Sequence, residues 1–114
     1  MRRGEIWVGN FNPNRGAEVG KIRPVLIIQA DFLVAQGGPA IVVLPLTTQV
    51  RQAKEPLHIT IQARDKLLRT SQIVTDQPRT LDRNRLVEGP LTVLRLEEML
   101  AVERSLSAVL GLYV

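Results

Sequence analysis

Proline and glycine divide this chain into apolar runs of only a handful of residues, which leaves little room for anything but a small β-rich fold. Asn12-Pro13-Asn14-Arg15-Gly16, Gly37-Gly38-Pro39, Pro45, Pro56 and Gly89-Pro90 punctuate the sequence as far as residue 90. The runs between them predict strands over 5–11, 24–29, 40–46, 57–61, 71–77 and 86–93. Pro24-Val25-Leu26-Ile27-Ile28-Gln29 is apolar on both parities, as in a central strand covered on both faces. Leu57-His58-Ile59-Thr60-Ile61 alternates, so one face is buried and one is not. Pro45 marks a bulge or an edge in its run, and Gly89-Pro90 breaks the last one.

Beyond residue 95 the period changes. Leu96, Met99, Leu100, Leu106, Val109, Leu110 and Tyr113 recur at spacings of three and four, with Glu97, Glu98, Glu103 and Arg104 on the opposite side. That pattern predicts an amphipathic C-terminal helix, with Glu97 and Glu98 suited to its first turn. Five or six short strands and one helix make a mainly β chain. Sheets this short protect their edges by curling into a small barrel.

At 114 residues, 45% hydrophobic and 23% charged, the chain suits one domain over 1–114 and is too apolar for intrinsic disorder. No apolar run approaches the roughly 18 residues of a membrane span, and the N-terminus lacks the pattern of a secretory signal. The expected location is therefore the cytoplasm. Absence of cysteine excludes disulfides, thiolate metal sites and cysteine nucleophiles. The formal net charge is +4. Arg95 and Arg104 face Glu97, Glu98 and Glu103 in the last segment, so the excess positive charge lies before it. A basic body suits a polyanion or an acidic protein partner, and it also serves plain solubility.

Several kinds of chemistry are excluded. His58 is the single histidine, so a two-histidine nuclease is impossible, and its place in an alternating run suits a structural or exposed role. Carboxylates are scattered apart from Glu97-Glu98, which argues against metal-ion catalysis. No phosphate-binding glycine loop or nucleophile elbow is present. What remains is arginine with hydroxyls. Arg23 precedes Pro24 and is held extended. Its planar fork suits phosphate, or it pairs with a carboxylate at a strand end. Thr47 and Thr48 close one strand and open a basic loop, where hydroxyls bind phosphate or cap a turn. Glu18 is the nearest carboxylate in sequence to Arg23, as ion-pair partner or proton acceptor.

Four segments in order resemble the MazF/PemK family of toxin endoribonucleases. They are Arg3-Gly4-Glu5-Ile6-Trp7-Val8; Gly16-Ala17-Glu18 followed by Arg23-Pro24-Val25-Leu26-Ile27; Pro45-Leu46-Thr47-Thr48-Gln49; and Ser71-Gln72-Ile73-Val74-Thr75-Asp76-Gln77-Pro78-Arg79-Thr80-Leu81-Asp82. The match runs from Arg3 to the terminal helix. It implies an SH3-like small β-barrel of the MazF/PemK/CcdB kind, assembled as a homodimer. It implies sequence-selective cleavage of single-stranded RNA, with the 2′-hydroxyl as nucleophile and no metal or cofactor.

Carried over by position, the resemblance makes Arg23 and Thr47 the catalytic pair and Glu18 a loop carboxylate with acid or base function. Thr48 and Gln49 belong to the matched strand end, and Gln77 and Arg79 match positions lining the RNA groove. Arg51 and Lys54 flank the matched positions and extend one positive surface. The family implies a MazE-like antitoxin whose acidic C-terminal segment lies in the same groove. Two other functions stay open at this point: a CcdB-like inhibitor of DNA gyrase, and a non-catalytic nucleic-acid-binding barrel. Arg23-Pro24 with Thr47-Thr48-Gln49 argues against the first. The scarcity of aromatics for base stacking argues against the second.

Overall fold

In the computed structural model, which describes residues 1–11 and 22–112, Val25, Leu26 and Ile27 are wholly buried. They lie in β2 (Ile22–Ile27), flanked by β1 (Glu5–Asn10) and β3 (Ala40–Thr47). Leu26 belongs to one apolar cluster and Val25 and Ile27 to another, as a run apolar on both parities requires. The remaining elements are α1 (Asp31–Ala35), β4 (Ile59–Ile61), β5 (Ser71–Ile73), β6 (Arg79–Asp82), β7 (Leu86–Val93) and α2 (Leu96–Leu110). The sheet order is β4-β5-β3-β2-β1-β7, with β6 also on β3, and every pairing is antiparallel.

Strand β3 turns the corner of this curled sheet. Its first half pairs with β6, from Ala40↔Asp82 to Val43↔Arg79, and its end pairs with β5 through Leu46↔Ile73 and Thr47↔Gln72. Pro45 sits where the partner changes. It lacks the N–H a ladder needs, and its carbonyl accepts from Val74 N–H at 2.8 Å. The strand therefore runs through Pro45 to Thr47. The expected strand over 71–77 stops at Ile73, and an additional strand, β6, follows the turn at Thr75-Asp76.

The inner face of the curl holds Ile6, Leu26, Leu44, Leu46, Ile61 and Ile73, capped by Val102 of α2. The other face packs Val25, Ile27, Ile41 and Val43 against Val34 of α1, an element absent from the sequence expectation. Strand β7 is continuous through Gly89-Pro90, with register shifts in the β1–β7 pairing that absorb the irregularity. Glycine is required there, because a Cβ at residue 89 would stand 2.3 Å from Trp7 Cδ2.

Among the described residues β4 and β7 do not pair; segment 62–70 spans the gap. Lys66 N–H donates to Leu91 O at 2.9 Å. Arg64 donates to Thr92 Oγ1 at 3.2 Å, to Val93 O at 2.9 Å, and to both carboxylate oxygens of Glu98 at 2.7 and 2.8 Å.

Helix α2 turns inward only part of the side its leucines suggest. Glu98, Val102 and Ser105, at i, i+4 and i+7, face Arg64, the core and Leu57, while Met99 and Leu106 pack beside them. Leu96, Leu100 and Leu110 are exposed, and Leu96 keeps 74% of its surface. The polar anchors at Glu98 and Ser105, with Glu103 on Arg3, fix the rotation. The helix begins with Arg95 N–H on Glu98 Oε1 at 2.7 Å and ends at Gly111 with φ of 71°. No described helix is long and apolar enough to cross a membrane. Glu18, the turn signal at Asn12–Gly16 and Tyr113 lie outside the described residues.

Candidate functional site

The β2–β3 register pairs Val25 with Pro45, Leu26 with Leu44 and Ile27 with Val43. Beyond Val25↔Pro45 each strand turns to its other neighbour, Arg23 to Gly9 of β1 and Thr47 to Gln72 of β5. Pro24 holds Arg23 extended. Arg23 and Thr47 line a cleft of about 620 Å³ together with Pro24, Leu46, Thr48, Gln49 and Arg69. An adjoining cleft of about 320 Å³ shares Arg23, Thr47 and Gln49 and adds Arg51, Lys54, Gln72, Asp76 and Gln77. Thr47 Oγ1 accepts from Gln49 N–H at 3.1 Å, which fixes its rotamer and leaves the hydroxyl proton free to donate.

Residues 48–58 carry Arg51 and Lys54 and contain no strand. A single 3₁₀ turn at Gln52–Lys54 interrupts them. Side chains from 71–76 and from α2 hold this arm. Gln72 bonds the backbone of Arg51, and Thr75 Oγ1 donates to Leu57 O at 2.6 Å. His58 Nε2 lies 2.8 Å from Asp76 Oδ1, and Ser105 Oγ donates to Leu57 O. The hydrogen bond from His58 holds the Asp76 carboxyl below its usual range, against the opposing effect of burial. No described carboxylate lies within ion-pair distance of Arg23, Arg51 or Lys54. The described residues contain no group of three or more His, Asp or Glu side chains suited to a metal ion.

The fold thus gathers Arg23, Thr47, Thr48, Gln49, Arg51, Lys54 and Gln77 around two joined clefts. Arg79 stands apart, with its guanidinium 4.8 Å from the centroid of the Phe11 ring, and lines neither cleft. His58 lies just before β4 rather than within it, and is buried. Sequence reasoning did not single out Arg69, Gln72 or Asp76 as cleft residues. Gln72 left a faint signal, a long polar side chain between two positions of a strand.

A cleft lined by Arg23, Thr47, Arg51, Lys54 and Arg69, on a curled β-sheet capped by a C-terminal helix, defines a small mainly β protein with a basic surface suited to an anion. Residues 2–110 match the family of PemK-like, MazF-like toxins of type II toxin–antitoxin systems, and the chain belongs to that family. It is 40% identical to an endoribonuclease MazF of Staphylococcus saprophyticus, over 99% of this chain and 93% of that one. A second endoribonuclease MazF, from Staphylococcus epidermidis, is 38% identical over 98% and 92%. Among solved structures, MazE–MazF of Deinococcus radiodurans aligns with a TM-score of 0.80 at 21% identity, covering 99% of this chain and 97% of that one. A mycobacterial endoribonuclease in complex with its cognate antitoxin aligns at 0.75 and 22%, over 100% and 98%. Both structures share the mainly β fold with its terminal helix.

Proposed function

We infer that this protein is an endoribonuclease, the toxin of a type II toxin–antitoxin pair, acting on single-stranded RNA at selected sequences. The observation that carries the reading is that Arg23 and Thr47 both line two joined basic clefts, in a chain 40% identical to an endoribonuclease. The reaction joins the 2′-oxygen to phosphorus and breaks the bond to the 5′-oxygen. The products are a 2′,3′-cyclic phosphate and a 5′-hydroxyl, which leaves with a proton. Charge builds on the phosphoryl oxygens as the attack proceeds. Arg23 meets it with a planar fork that stays protonated, and Thr47 adds a hydroxyl donor whose rotamer is already fixed. Thr48, Gln49, Arg51, Lys54 and Gln77 hold the strand on either side. Arg79 acts on the flanking strand from outside the two clefts, and Glu18 serves as an acid or base.

The whole chain works as one toxin domain in the cytoplasm, as a homodimer. A MazE-like antitoxin neutralises it by laying an acidic C-terminal segment along the same positive surface. The scattered carboxylates support a reaction that needs no divalent ion. Purified protein incubated with a long unstructured RNA in EDTA is expected to cut it, and mapping the product 5′ ends is expected to give a short recurring sequence with 5′-hydroxyls. Activity lost in EDTA and restored by magnesium or manganese would overturn this mechanism.

A further inference from the structure

Gln72 places a polar side chain where a strand interior calls for an apolar one. It lies mid-strand in β5 with 1% of its surface exposed. A buried amide is costly unless its donors and acceptor are matched, and here they are. Oε1 accepts from Arg51 N–H at 3.3 Å. Nε2 donates to Arg51 O at 3.0 Å and to Thr60 Oγ1 at 3.2 Å. One amide thus engages both backbone groups of one residue, the pattern a neighbouring strand makes in a hydrogen-bonded pair. Residues 48–58 have no such strand, so the side chain substitutes for a ladder. The arm is fastened again at Leu57 and His58, and His58 N–H donates to Lys54 O at 2.9 Å. Gln72 is also the register partner of Thr47, so the fastening point of the arm lies directly beside the proposed catalytic hydroxyl.

We propose that Gln72 is a positioning residue for the substrate strand: by clamping the backbone of Arg51 it holds Arg51 and Lys54 in the cleft beside Arg23 and Thr47. The proposal rests on the endoribonuclease reading. Gln72 touches no phosphate in this role. Without the clamp, Arg51 N–H turns to water and Arg51 O keeps only Lys54 N–H, at 3.0 Å, so the two cations are held less firmly over the cleft. The loss falls on binding of the strand, since Arg23 is placed by its backbone pairing with Gly9 of β1 and Thr47 by its backbone pairing with residue 72 of β5, and neither pairing uses the Gln72 amide or the arm.

The test uses Gln72→Met, which keeps the length and volume, and Gln72→Glu, which keeps the acceptor for Arg51 N–H but cannot donate to Arg51 O. Two quantities are measured for each. One is the Kd for an all-deoxy single strand, which lacks the attacking hydroxyl; the other is KM and kcat on RNA. For Gln72→Met, Kd and KM are expected to rise about tenfold with kcat within about twofold, the pattern of weakened binding with transition-state stabilisation intact. Gln72→Glu should weaken Kd and KM at least as much, because its second carboxylate oxygen faces Arg51 O with no donor between them and brings a negative charge to the edge of the cleft. In an Arg51→Gln/Lys54→Gln background, Gln72→Met should change Kd less than about twofold, because the groups it positions are gone. Folded variants with parental Kd and KM overturn the proposal, as does an equal loss in the Arg51→Gln/Lys54→Gln background. Failure of both variants to fold assigns Gln72 to folding alone and also overturns it. A parent protein that binds the deoxy strand but cuts no RNA refutes the endoribonuclease reading instead.

Discussion

Arg64 and Arg23 are the same side chain put to opposite uses at two places on the sheet. Arg64 closes the gap beside β7, and its whole fork is occupied: Nε by Thr92, one terminal nitrogen by Glu98, the other by Glu98 and Val93 O. Chiefly through its hydrogen bond to Glu98, it is held protonated even more firmly than an ordinary arginine. Arg23 lines both clefts, and no described side chain takes its guanidinium as an ion-pair partner. A saturated arginine is a structural clasp. One whose fork faces an open cleft, with Arg51 and Lys54 near it, is poised for an anion from outside. On the proposed function, stability belongs to one side of the molecule and chemistry to the other, and substitutions should separate them.

The largest expected effect is at Arg23. Arg23→Ala should lower the rate of RNA cleavage on the order of 10²–10³-fold, as when one preorganised charge-stabilising donor is removed. Arg23→Lys should be nearly as poor, because lysine keeps the charge and loses the bidentate fork. Thermal melting of both variants should stay near that of the parent. A lysine variant with near-parental turnover would reduce Arg23 to a generic positive charge and erase the contrast with Arg64.

Arg64 should show the mirror image. The Arg64–Glu98 pair is mostly buried, with 18% and 17% of the side-chain surfaces exposed. Arg64→Met leaves Glu98 and the carbonyl of Val93 without their partner, which should cost about 2 kcal/mol, less than a fully buried pair. Melting should drop on the order of 10 °C, with kcat on RNA close to parental. The pair also sets a pH dependence. The hydrogen bond from Arg64 is the main cause that holds the Glu98 carboxyl below its usual range, against desolvation, with Arg95 N–H adding to it. Unfolded chain therefore binds the proton more readily than folded chain. The stability contributed by Glu98 is complete above the ordinary glutamate pKa and is lost as pH falls through the lowered folded value. Glu98→Gln should be less stable at neutral pH and should flatten the acid limb of a denaturant-midpoint profile. A profile parallel to the parent's would show that Glu98 has no part in it.

The clasp and the cleft were legible in the sequence to different degrees. Arg23, Thr47, Thr48 and Gln49 sit at strand ends marked by Pro24 and Pro45, so local signals place them. Arg64, Glu98 and Ser105 act across the fold, and no local pattern announces such partners. That is why the apolar residues of 96–110 marked the inward side of α2 only in part: Met99 and Leu106 pack on the core, while Leu96, Leu100 and Leu110 stay exposed. Strand β6 was missed because Arg79-Thr80-Leu81-Asp82 has one apolar residue, and its pairing with β3 decides its conformation. Helix α1 was missed because five residues are too few to show a period. The place of Arg79 over Phe11 follows from that same unseen strand. Gln72 was legible as an oddity only: its meaning depends on Arg51, which is distant in sequence and adjacent in space.

The smallest expected effect sharpens the division within the cleft itself. Arg51 and Lys54 are exposed on the arm, unlike Arg23, which the β2 strand holds in place. Arg51→Gln/Lys54→Gln removes two cations that meet phosphate and leaves Arg23 and Thr47 untouched. Binding of a single strand should weaken and depend less on salt, with the log–log slope falling by roughly 0.7 for each phosphate no longer neutralised. Turnover at saturating RNA should change far less than in Arg23→Ala, because these charges attract the strand equally before and during the reaction. The same variant should loosen an acidic antitoxin segment, since both ligands are polyanions drawn to one surface. An unchanged salt slope together with unchanged antitoxin affinity would make the arm a solvated face, and the cleft would then act through Arg23 and its strand-end neighbours alone.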